Sequence, residues 1–141
     1  MRIKSFVLIE KDGRYLLIKE DAPKWEEKWF FPGGNVKDGE SPEEAAIRET
    51  KEEAGCRVVL NGIIYVRYYS SFFEGKTHVF YSASVVDDEI KTIEDKHSLS
   101  VKWFSYEELS KLPLRQKMME IVNCYREHKG MIPVGAFKII S

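Results

Sequence analysis

The chain has 141 residues, 43% of them hydrophobic and 13% aromatic, enough for one domain with a proper core and too few for two ordinary ones. Its 22 basic and 23 acidic residues leave a formal net charge of −1, so no global field draws it to nucleic acid or to an anionic membrane. Two cysteines, Cys56 and Cys124, are too few for a disulfide scaffold and fit reduced, buried side chains of a cytoplasmic protein. In chain order, residues 1–6 are interrupted by charge and lead into an apolar run broken at Glu10, which reads neither as a signal peptide nor as a membrane span. Strands are expected at 3–10 and 15–19, joined by Lys11-Asp12-Gly13-Arg14 with its Asp-Gly hairpin signal. After a loop at 21–24, Trp29-Phe30-Phe31-Pro32-Gly33-Gly34 reads as an aromatic strand end running into a glycine turn.

A helix then starts at Pro42, with Ser41 as N-cap and Glu44 closing a capping box, and Gly55 is its natural stop. At about 100° per residue, Glu49, Glu52 and Glu53 share one arc of this helix, while Ala46, Ile47, Thr50 and Ala54 form a compact neighbouring arc suited to a sheet. Strand-rich runs follow at about 57–71 and 77–86 around a hairpin turn at 73–76, then an acidic loop at 87–95 and a short strand at 101–104. Ser105 caps a further helix with Glu108 at its third position, and an amphipathic helix spans 114–127, closed by Gly130. The apolar tail at 131–137 is suited to covering the core or to meeting another subunit, as in a homodimer. Strands alternating with two helical regions imply an α/β fold, a mixed β-sheet between helices on both faces. No repeat, linker or low-complexity segment divides the chain, so 1–141 reads as a single domain.

The chemistry concentrates between residues 34 and 56: Gly34, five residues, Glu40, seven residues, Arg48-Glu49-Thr50, one residue, Glu52-Glu53, one residue, Gly55-Cys56. Glutamates at i, i+3 and i+4 repel by a few tenths of a kcal/mol per pair even on a solvated helix. Arg48 pairs with Glu52 four positions on, but one guanidinium does not neutralise Glu40, Glu49, Glu52 and Glu53 together. Hard oxygen donors suit Mg²⁺, which keeps several waters and shares its shell with substrate phosphates. The plainer alternative is a solvated acidic helix face.

This pattern resembles the signature of the MutT-like Nudix hydrolase family, G-x5-E-x7-R-E-U-x-E-E-x-G-U with U aliphatic, and all seven invariant letters are filled. A chance match at seven letters has a probability on the order of 10⁻⁸ per starting position. Thr50 and Cys56 depart from the aliphatic preference, and both are compact enough to face a core. The resemblance implies a Nudix-type α/β/α sandwich and hydrolysis of a nucleoside diphosphate linked to another moiety, dependent on Mg²⁺ or Mn²⁺. It implies Glu49, Glu52 and Glu53 as metal ligands, joined by the carbonyl of Gly33. Arg48 would orient the glutamates, and Glu40 would support the helix entry. The base that takes the proton from water stays open between these glutamates and a loop acid, for which Glu94 is preferred over Asp88, Glu89 and Asp95.

The implied substrate is a nucleotide, a small molecule rather than a nucleic acid or a membrane, with a nucleoside triphosphate or modified nucleotide as the default. An ADP-ribose or dinucleoside polyphosphate hydrolase and a non-catalytic nucleotide-sensing module are the alternatives. An isomerase of a diphosphate lipid precursor would want a catalytic cysteine, and Cys56 is poorly placed for that. Trp25, Trp29, Tyr68, Tyr69, Phe72 and Phe73 are candidates for stacking on a base, and Arg14, Lys19 and Arg67 for meeting phosphates. His78 is expected at an exposed strand position, His97 beside the loop acids, and His128 at the C-terminal end of the last helix.

Overall fold

The hairpin is where expected: β1 (Arg2–Lys11) turns into β2 (Arg14–Lys19) through Asp12 and Gly13, whose φ values of 53° and 76° are the left-handed pair that a two-residue hairpin requires. The computed structural model describes residues 2–19, 27–70, 75–87, 89–90, 98, 100–115 and 117–128, and the backbone of 137–140. The elements that follow are β3 (Trp29–Phe30), β4 (Gly33–Asn35), α1 (Pro42–Ala54), β5 (Val58–Tyr69) and β6 (Lys76–Val85). After them come β7 (Ser100–Ser105), α2 (Tyr106–Leu109), α3 (Met118–His128) and β8 (Phe137–Ile140). The strands form one mixed sheet in the order β3-β2-β1-β6-β5-β8, with β4 added on β1 and β7 on β2. β1 runs parallel to β6 and β5 parallel to β8; the other pairs are antiparallel.

Alternation along β1 builds two cores, because successive side chains of a strand point to opposite faces. Phe6 and Leu8 join Tyr65, Phe80, Ile121 and Val122 on the face covered by α3. Val7 and Ile9 join Ala46, Ala54, Cys56 and Tyr81 on the face covered by α1. The chain therefore has the α/β arrangement expected of it, a mixed sheet between helices.

Helix α1 occupies its expected span because both ends are closed locally. Ser41 Oγ accepts from the Glu44 amide at 3.1 Å, while Glu44 Oε1 accepts from the Ser41 amide at 3.0 Å, a cap of the kind worth about 1 kcal/mol. Gly55 ends the helix at φ 83°, donating its amide to the Lys51 carbonyl. Two hydroxyls fasten the helix to the rest of the protein: Ser5 Oγ donates to the Pro42 carbonyl at 2.7 Å, and Ser98 Oγ donates to the Glu53 carbonyl at 2.8 Å. Thr50 is tolerated in the core because its hydroxyl donates back to the Ala46 carbonyl at 2.8 Å.

Three readings are corrected, and one strand is added that the sequence reading did not contain. The last helix begins at Met118 rather than 114, because Leu114 bridges to Trp29, the Arg115 amide donates to the Trp29 carbonyl at 3.1 Å, and Lys117 takes φ 65°. Gly33 and Gly34 lie in a strand paired with Phe6 and Ser5 rather than in a turn. Ile47 is 41% exposed, because the buried arc of α1 is centred on Ala46, Thr50, Glu53 and Ala54. The tail ends in a strand, with Phe137 opposite Val66. Trp25, Phe72, Phe73, Asp88, Glu94, Asp95, His97 and Gly130 lie outside the described residues.

Candidate active site

One guanidinium organises the acids of α1. Arg48 grips Glu40 with both sides of its fork, Nε donating to Oε2 at 2.7 Å and Nη2 to Oε1 at 3.0 Å. Its Nη1 donates to Glu49 Oε1 at 2.9 Å and to Glu52 Oε2 at 3.1 Å, so these two carboxylates lie side by side. Nη2 also donates to the Asn35 carbonyl at 3.0 Å, which ties the helix to β4. Only the rigid, planar guanidinium fork serves so many oxygens at once. The hydrogen bond from Arg48, helped by the Lys37 amide, holds the Glu40 carboxyl down to about 2, and the same bond raises Arg48 further above its already high value.

Glu53 is engaged differently. It is 6% exposed, and its Oε1 accepts the Gly33 amide at 2.6 Å. The next glycine makes room for Glu49, since a Cβ built on Gly34 would stand 2.7 Å from that carboxyl's Cδ and Oε1. Gly34→Ala is therefore expected to displace the Glu49 carboxylate from Arg48 at little cost to the fold, because the added Cβ would meet the end of a long side chain rather than backbone. Turnover should fall about 10–100-fold with the melting temperature nearly unchanged, which kinetics and a thermal melt will check.

Among the described residues, no three Asp, Glu, His or Cys side chains converge as a ready cation cage. Mg²⁺ does not need one: it binds through one or two carboxylates and completes its octahedron with water and substrate phosphates. The hard oxygens of Glu49, Glu52 and Glu53, beside a glycine backbone that an ion or phosphate can approach closely, fit such a half-built site.

A family model described as the NUDIX domain matches residues 3–123. The chain belongs to this family. A Bacillus subtilis protein, named as a candidate 8-oxo-dGTP diphosphatase, is 36% identical over 81 residues, covering 56% of this chain and 51% of that protein. The ADP-ribose pyrophosphatase of Methanocaldococcus jannaschii is 33% identical over 108 residues, covering 74% of this chain and 62% of that protein. The crystal structure of a MutT NUDIX hydrolase from Burkholderia pseudomallei superposes with a TM-score of 0.73 at 28% identity, covering 86% of this chain and 95% of that one. The chain spans between 33% and 62% of the length of eight curated relatives that it matches.

Within this Nudix domain several candidate residues take other places than the sequence suggested. Trp29 is no stacking platform; it is buried edge-on to Phe104 at 4.8 Å between ring centres. Cys56, by contrast, is buried as expected, and burial pushes its thiol up to about 11. Arg14 is exposed at the hairpin, Lys19 lies 5.2 Å from the Trp29 ring, and Tyr68 and Tyr69 are half-buried at the end of β5. His128 sits at the C-terminal end of α3 as expected.

His78 is the clearest correction, for it is buried rather than exposed. Its Nδ1 accepts from Arg67 Nε at 3.1 Å, across the β5–β6 register that sets the two residues opposite each other. Burial, then the Arg67, Lys4, Arg115 and Lys76 charges, push its pKa down to about 3. The unfolded chain thus binds a proton that the native state refuses between pH 6.5 and about 3, so stability falls as pH drops through that window. Urea melts at pH 7 and pH 5 should show a smaller acid loss in His78→Phe than in the parent. Arg67 was missed as its partner because a cross-strand pair depends on register, which spacing along one chain does not reveal.

Proposed function

We propose that this Nudix domain is a pyrophosphohydrolase dependent on Mg²⁺ or Mn²⁺, attacking a nucleoside triphosphate or modified nucleotide with water at phosphorus. The observation that carries this reading is the Arg48 hub, which sets Glu49 and Glu52 side by side while Glu53 is pinned to Gly33. Glu49, Glu52 and Glu53, with the Gly33 carbonyl, would hold the cation; when bound, it neutralises phosphate oxygens and makes water more acidic. Arg48 is a positioning residue, acting through the carboxylates that it holds. A carboxylate takes the proton as water attacks, and the oxygen of the cleaved P–O–P bridge leaves with its electron pair on the departing phosphate. Glu52, Glu53 and the loop acid Glu94 are the proposed bases.

Support for the substrate class comes from the Bacillus subtilis relative, whose name specifies a nucleoside triphosphate. The ADP-ribose pyrophosphatase relative supports the second substrate class. Among the described residues no helix is long and apolar enough to cross a membrane. A soluble nucleotide is the natural partner, and a cytoplasmic location is proposed with it. The test is a panel of nucleoside triphosphates, ADP-ribose and dinucleoside polyphosphates incubated with Mg²⁺, Mn²⁺ or a chelator, followed by phosphate and pyrophosphate release. Metal-dependent release from one class supports the proposal; tight binding without release from any would favour a sensor.

A further inference from the structure

On the α3 face of the sheet, away from the α1 carboxylates, lies a second group of polar side chains that the proposed hydrolysis does not use. Arg67 is 3% exposed and His78 7%, and both sit among aromatic rings. The Arg67 guanidinium carbon lies 5.1 Å from the Phe80 ring centre, and the His78 ring 5.3 Å from that of Phe6. Arg115, buried too, stacks its guanidinium 4.4 Å from the Phe30 ring centre and adds a second positive charge.

The pair is built to donate. The Arg67–His78 bond uses Nδ1 as acceptor, which leaves the proton of the neutral imidazole on Nε2. Arg67 Nη1 and His78 Nε2 have no hydrogen-bond partner among the described residues. A buried donor left without an acceptor costs about 1–3 kcal/mol, so two together call for one. The half-buried Tyr69 shows that a flat ring packs against this pair: its ring lies 5.3 Å from the Arg67 guanidinium carbon and 4.9 Å from the His78 ring.

The location connects to the acids. β4, β1 and β6 are neighbours, with Gly33 opposite Phe6 and His78 opposite Lys4. Strand spacing and rise put His78 roughly 12 Å from Gly33, within the span of one nucleotide. Gly33 and Gly34 put no side chain along the edge between the two faces.

We propose that Arg67 and His78 read the base of the nucleotide, selecting a flat heterocycle that presents a keto oxygen and rejecting one that presents an amino group there. The inference rests on the nucleotide reading of the α1 site. A keto oxygen accepts from the buried donors, whereas an exocyclic amino group sets donor against donor and leaves both unsatisfied. Sites of this kind discriminate through the penalty on the wrong partner.

The test compares bases that differ at that group: inosine with adenosine, and uridine with cytidine. Binding of the four monophosphates by calorimetry and kcat/KM for the four triphosphates with Mg²⁺ are measured on the parent, Arg67→Met and His78→Phe. The parent should favour the keto member of at least one pair tenfold or more in binding, and each substitution should bring that ratio towards one by weakening the keto ligand alone. Equal binding of keto and amino bases by the parent overturns the proposal. So does a substitution that weakens both members equally, the mark of a structural or phosphate-binding role. If a substitution prevents folding, judged by a thermal melt, the parent's ratio and the other variant still decide. A keto preference in binding without turnover of any triphosphate would uphold this inference while defeating the hydrolase reading.

Discussion

Glu53→Gln is expected to abolish most metal-dependent turnover, by about 10²–10⁴-fold, while the protein melts close to the parent temperature. The substitution separates two jobs of one side chain. The glutamine keeps an Oε1 to accept the Gly33 amide, the 2.6 Å bond that joins α1 to β4, so the packing of a 6%-exposed group survives. It loses the negative charge that the proposed chemistry needs to ligate a cation or take a proton. Steady-state kinetics and a melt on the same preparation check both halves; normal turnover in a folded variant would remove Glu53 from the chemistry.

Arg48→Met should be nearly as damaging by a different route. Glu40, Glu49 and Glu52 would lose the guanidinium that gathers them, and the repulsion that it offsets would spread them. A 10–100-fold loss of turnover is expected, together with a higher metal requirement. Arg48→Lys should rescue little, since a single ammonium lacks the planar fork that spans three carboxylates and the Asn35 carbonyl. An acid signature accompanies the loss. In the parent, the Glu40 carboxyl is held from 4.5 down to about 2 by Arg48 and the Lys37 amide, so its contribution is present above 4.5 and disappears as pH falls towards 2. Carboxyl titration by NMR should find Glu40 moved back up towards its ordinary value in Arg48→Met; an unmoved titration would mean that the hub seen here does not govern Glu40.

Much of this site was legible because it is local. Ser41, Pro42, Glu44 and Gly55 mark the ends of α1 through short-range hydrogen bonds and backbone preferences, and both ends fell where those residues place them. The register of Glu49, Glu52 and Glu53 follows from helical period alone. What spacing does not carry is contact between elements. Glu40 lies before the helix, and its two-pronged bond to Arg48 arises only because the loop after β4 folds back over α1. Ile47 looked apolar enough to bury, yet the sheet meets the neighbouring arc. Leu114 and Arg115 carry a helical pattern but are taken up by Trp29, whose short strand needs partners. His78 looks like an exposed strand residue and Arg67 like a phosphate contact until the β5–β6 register sets them opposite each other beneath aromatic rings.

The proposed hydrolysis requires α1 to present oxygen ligands to a divalent cation in the company of a nucleotide. Electron paramagnetic resonance of Mn²⁺ titrated into the protein with a non-hydrolysable nucleoside triphosphate analogue tests that directly. Uptake of Mn²⁺ by the parent beyond that of the analogue alone, lost when Glu49, Glu52 and Glu53 are all replaced by glutamine in a folded protein, is the predicted result. No uptake by the parent, or equal uptake by the triple variant, would contradict it.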